Sequence, residues 1–177
     1  KTYLIESYLL YQQAFESSPQ SYWAGINAAT LALLSGQFEE AKSYSKQVYD
    51  YCATLVLTQT ADYWLSATLA ETKLVNYLLT GQRQLKEELL DAYQQAASLS
   101  DNFTQISSTR KNAKLLLSWE YPFTTLLKIN DEQRKHLLET LLEVLFTPPI
   151  IVFTGHMIDM AEREHPRFPA QHEDAVK

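Results

Sequence analysis

The stretch DYWLSATLAETKLVNYLLTGQ, residues 62–82, decides the fold. Asp62 stands where a helix N-cap is expected, a long run of apolar and small residues follows, and Gly81-Gln82 closes the run. Residues 21–37, SYWAGINAATLALLSGQ, repeat the plan with a Ser at the cap position, the same Tyr-Trp opening and a Gly36-Gln37 close. The two Gly-Gln turns stand 45 residues apart, within the periods used by helical repeat arrays. Each turn leads into a second amphipathic helix. FEEAKSYSKQVYDYCATL puts Phe38, Ala41, Tyr44 or Ser45, Val48 and Cys52 on one stripe. RQLKEELLDAYQQAASLS puts Leu85, Leu89, Ala92, Ala96 and Leu99 at nearly heptad positions, the narrow stripe of a helix packed on a neighbour. Two helical hairpins of one design are therefore predicted.

The flanks extend the pattern. TYLIESYLLYQQAFES carries Leu4, Tyr8, Tyr11 and Phe15 at helical spacing and stops before Ser18-Pro19. Ala24, Gly25, Ala28, Ala29 and Ala32 in the next helix allow close approach of a neighbour. A looser third pair follows, with Phe103, Ile106, Ala113 and Leu117 on one helix and Leu138, Leu141 and Leu145 on another behind an Asp131 cap. EYPFTTLLKIN, between them, lacks a clean period and reads as a packed connector. The expected fold is all-α: a tetratricopeptide-like array of antiparallel helical hairpins over residues 1–147. A short β-strand and irregular tail are expected over 148–177.

Composition narrows the function classes. The chain has 177 residues, 46% hydrophobic and 20% charged, enough for one core of ordinary size. A net charge of -6 disfavours a general nucleic-acid binder, since that affinity comes from neutralising phosphates with Lys and Arg. No apolar run reaches the ~18 residues that span a bilayer. Cys52 is the sole cysteine, so the chain forms no internal disulfide, which suits a reducing, cytoplasmic setting. Starting without Met, the chain is expected to be a piece of a longer protein.

Near the end, TPPIIVFTGHMID breaks the helical pattern. Pro148 and Pro149 end the array, and Ile150 to Phe153 reads as a β-strand that begins an α/β domain. Gly155 and His156 follow at a turn able to direct backbone N–H groups at an anion, and Arg163 and Arg167 supply fork-shaped cations. This is a half-site for phosphate, without a full glycine fingerprint; docking of the strand and linker on the helices is the alternative. His156, Asp159, His165 and His172 invite a metal reading, but Pro166 and Pro169 prevent a regular helix from presenting them together, so no metal and no cofactor are expected.

The segment LLSGQFEEAKSYSKQV, the paired Tyr-Trp helices and the closing IIVFTGHMIDMAEREHPRFP together resemble the TRAF-binding-domain family of tetratricopeptide-like proteins. That family was first defined in the regulatory region of apoptosis-signal-regulating MAP kinase kinase kinases and is widespread in bacteria as a domain of unknown function. The resemblance covers roughly residues 21–168. It implies a noncatalytic scaffold or regulatory domain of a larger signalling protein, binding a protein partner or a second copy through its concave face. It also implies, as the alternative, a regulatory module of a nucleotide-sensing or nucleotide-processing protein, with a nucleotide ligand only in the full-length chain. Kinase activity is not implied, because no glycine-rich loop, catalytic loop or Asp-Phe-Gly is present.

On the array itself, Tyr22, Trp23, Tyr63 and Trp64 open the first helix of each hairpin, the helices that line the concave groove of such arrays. They are candidate partner contacts, with core packing as the other reading. Asn27, one turn after Trp23, joins them as a polar groove candidate. No catalytic residue is assigned: Glu39, Glu40, Glu87, Glu88 and Asp91 lie on solvated faces with no nucleophile in register, and Arg110, Lys111 and Lys114 form a small basic cluster on one helix.

Overall fold

A computed structural model of the chain describes residues 2–121 and 127–146. The chain divides into two units, Lys1–Thr147 and Pro148–Lys177, and the described residues all belong to the first. The expected strand at Ile150 to Phe153, the half-site residues Gly155, His156, Arg163 and Arg167, and the histidine group all lie outside the described residues.

Seven helices occupy the described residues: α1 (Thr2–Ser17), α2 (Tyr22–Leu34), α3 (Phe38–Thr58), α4 (Tyr63–Thr80), α5 (Arg83–Ser98), α6 (Phe103–Ser118) and α7 (Asp131–Val144). The pairs α2/α3, α4/α5 and α6/α7 pack as hairpins, with α1 against α2. First helices touch along the array, α2 with α4 and α4 with α6, while α5 touches α7. The expected all-α hairpin array is the fold.

Local chemistry explains where the helices begin and end. The Asp62 side chain accepts a hydrogen bond from the Leu65 N–H (2.8 Å), and Asn102 does the same for Gln105 (3.1 Å). Helix α7 is capped by Asn130 rather than by the expected Asp131. Asn130 and Gln133 bond reciprocally to each other's backbone N–H at 2.8 and 2.9 Å, a capping box, which leaves Asp131 inside the first turn where an acid suits the helix dipole. Ser21 holds the N-cap position of α2 without a side-chain capping bond. Gly81 closes α4 with φ +65°, and a Cβ there would lie 2.7 Å from the Lys128 carbonyl oxygen. Both the left-handed backbone and that close approach demand glycine.

The small residues of α2 are buried as a set, and Gly25 marks the tightest crossing: an added Cβ would meet Val48 at 2.4 Å and Phe15 at 2.7 Å. Helices α1 and α3 thus approach α2 where it lacks a side chain. Two residues expected on inward stripes are exposed instead, Leu99 and Phe103, and each sits at a helix end, Leu99 as the C-cap of α5 and Phe103 as the first residue of α6. The described part of the connector packs as expected. Tyr121, Leu127 and Ile129 are buried, and the Lys128 N–H donates to the Leu78 carbonyl at 3.1 Å. Arg134 is buried beneath this region and serves the end of α6. Its guanidinium donates to the Trp119 carbonyl (2.8 Å) and to Asp131 (2.6 Å) and lies over the Tyr121 ring. Trp119 in turn donates its indole N–H to the Leu34 carbonyl at 3.1 Å, joining the end of α6 to the end of α2.

Candidate functional site

Helices α2, α4 and α6 enclose a cleft of about 230 Å³. Trp23, Ile26 and Asn27 form one wall, Trp64, Ala67, Thr68 and Glu71 the second, and Ser108, Thr109 and Asn112 the third. The spacing has a simple origin: positions i, i+3, i+4 and i+7 share one helical face, so Trp64, Ala67, Thr68 and Glu71 are neighbours by geometry alone.

Side-chain bonds fix the walls. The Tyr63 hydroxyl donates to Thr109 Oγ1 at 2.7 Å and ties the start of α4 to α6. Asn112 Nδ2 donates to Glu71 Oε1 at 3.1 Å, a second tie between the same helices. The Trp23 ring meets Tyr11 of α1 edge-on with centroids 5.3 Å apart, and Trp64 meets Tyr63 in the same manner at 5.1 Å. Each tryptophan is therefore braced on one side by a tyrosine. Yet Trp23 is 60% exposed and Trp64 43%, so large apolar rings stand in solvent at the cleft mouth.

Glu71 is the chemically distinctive group. Its side chain is only 7% exposed, and desolvation pushes its carboxyl up to about 7, an effect partly offset by the hydrogen bond from Asn112. Burial alone makes the charged form expensive, since a carboxylate away from water needs a partner. The ion pairs among the described residues, Lys46 with Asp50, Lys73 with Glu88 and Arg134 with Asp131, lie elsewhere. Tyr93 of α5 is buried behind α4 with no hydrogen-bond partner for its hydroxyl among the described residues. Its hydroxyl titrates well above the ordinary tyrosine range because of desolvation first, then the nearby Glu71 and Tyr63.

Of the residues singled out in the sequence, Trp23, Asn27 and Trp64 meet at this cleft. The Asn27 amide donates back to the Trp23 carbonyl at 2.7 Å. Tyr63 is 3% exposed and braces the site from beneath, so it offers no contact surface of its own. Tyr22 is half-buried and packs against the main core. Lys111 and Lys114 flank a shallow hollow with Leu115, Ser118 and Trp119, apart from the cleft. Glu71 and Asn112 escaped the sequence reading. For Glu71 the signal was present, an acid seven residues after Trp64 in a helix of mostly small and apolar residues; Asn112, on a helix without clear repeat features, gave none. Among the described residues no group of three His, Cys, Asp or Glu could hold a metal, and no helix is long and apolar enough to cross a membrane.

Comparison with known proteins found no family model, no curated protein and no solved structure that matches the chain.

Proposed function

We propose that this chain is a noncatalytic interaction module of a larger cytoplasmic signalling protein, docking a peptide segment of a protein partner in the cleft formed by α2, α4 and α6. One observation carries the reading: two braced but exposed tryptophans line a common cleft together with polar side chains. Buried tryptophans would serve the stack, whereas exposed ones at a concave mouth supply rigid anchoring area with little entropy to lose. The resemblance to TRAF-binding-domain proteins points the same way. The titratable group that lines the cleft is a single carboxyl bonded to an amide.

Peptide display against the native protein, followed by binding to a Trp23→Ala/Trp64→Ala variant of unchanged circular dichroism, tests the reading. Selected peptides should lose about 30-fold or more in affinity for the variant, the loss of one hot-spot contact. Peptides that bind both proteins equally would place docking on another surface and remove this proposal.

A further inference from the structure

Resting on the docking reading, we propose that the cleft is a socket for one basic side chain of the bound peptide, a lysine or arginine whose cation meets the Glu71 carboxylate and whose stem lies against Trp23 and Trp64. Three features of the cleft select a cation. Its buried acid has one oxygen engaged by Asn112 and no ion pair among the described residues, so the missing half of the interaction is a positive charge. The mouth is aromatic, and tryptophan faces attract both ammonium and guanidinium groups. Thr68, Ser108 and Thr109 add hydroxyl oxygens, which accept the remaining N–H bonds of such a group. An anion would meet the Glu71 charge, and a metal would find a single carboxylate.

A protonated Glu71 must release its proton to pair with the cation, so binding gains a pH dependence. Tyr63 on α4 and Tyr93 on α5 feel the Glu71 charge, and both stay neutral in this range because burial raises their hydroxyls. On α6, Asn112 faces it. From α2 the cleft receives the uncharged Trp23, Ile26 and Asn27. With the Glu71 carboxyl titrating at about 7, the binding-competent ionised fraction rises roughly 10-fold between pH 6 and pH 8.

The test titrates the isotope-labelled full chain with n-butylammonium, the lysine side chain as a free molecule, and with 1-pentanol as a neutral control of similar shape. Saturable shifts of the Trp23 and Trp64 indole N–H signals are expected with the ammonium, about 10-fold tighter at pH 8 than at pH 6. Glu71→Gln should weaken binding at pH 8 by about 10-fold or more and abolish the pH dependence. Equal binding of pentanol, equal binding to the Gln variant, or no saturable shift would each overturn the socket. Display peptides separate this outcome from the docking reading. Peptides that depend on the tryptophans yet bind Glu71→Gln undiminished keep the docking site and remove the socket, whereas butylammonium binding alongside tryptophan-independent peptides does the reverse.

Discussion

Replacing Glu71 by Gln should make the protein more stable at neutral and alkaline pH. The carboxyl moves from 4.5 to about 7 on folding, and each pKa unit is worth about 1.4 kcal/mol between the two protonation states. At pH 8 the ionised, buried carboxylate therefore costs the native state about 3 kcal/mol, and at pH 5 about 1 kcal/mol. The sign follows from proton counting. Between pH 4.5 and about 7 the folded protein holds the Glu71 proton while the unfolded chain has lost it, so stability falls as pH rises through this window and levels off above it. Glutamine keeps an oxygen to accept from Asn112 and removes the charge. Urea denaturation of both proteins at pH 5 and pH 8 measures the difference, expected to widen from about 1 to about 3 kcal/mol in favour of the variant, or on the order of 10 °C in Tm at pH 8. Other carboxylates, such as Glu88, lowered chiefly by its bond from Lys73, titrate in both proteins and cancel from the comparison. Parallel pH profiles, or a less stable variant at pH 8, would refute the assignment of a buried, unpaired acid. A confirmed gain would mean that the native sequence retains a destabilising group in the wall of its cleft, as binding sites commonly do.

Two further outcomes follow from the packing. Gly25→Ala should destabilise by about 1–3 kcal/mol in chemical denaturation despite the better helix propensity of alanine, because the new methyl enters Val48 and Phe15. Combining it with Val48→Ala should recover part of that loss; strict additivity of the two would show that they do not meet. The Cys52 thiol is fully buried and pushed up to about 12 by desolvation, so Ellman's reagent should leave it untouched in the native protein over hours and modify it promptly in urea, whereas fast native labelling would show that α3 opens locally.

Much of the fold was legible because the hairpins announce themselves by period and punctuation. The Gly-Gln turns, the small-residue stripe of α2 and the Val48/Cys52 face all follow from spacing that local geometry enforces. Helix ends were read less well. Asn130 displaced Asp131 as the cap because a reciprocal bond with Gln133 outweighs the choice between two adjacent capping residues, and Leu99 and Phe103 stand at helix ends, which an apolar stripe does not mark. At the cleft, sequence separated Tyr-Trp pairs from the rest but not Tyr from Trp. Adjacent helical residues point about 100° apart; one of each pair must turn toward the stack, and only packing shows which. The carboxyl between them depends on α6, a helix whose place in the array comes from tertiary contact and not from any repeat signature.

The indole bond from Trp119 to the Leu34 carbonyl spans 85 residues of chain. In an ideal solenoid each hairpin senses only the next, and the array melts from its ends like a one-dimensional chain of coupled units. Here the third hairpin also bonds to the first directly, so either end that opens gives up that bond as well. Unfolding is thereby drawn toward a single event, and hydrogen exchange in α2 and α6 should report one shared opening energy where a simple solenoid would show a gradient from end to centre.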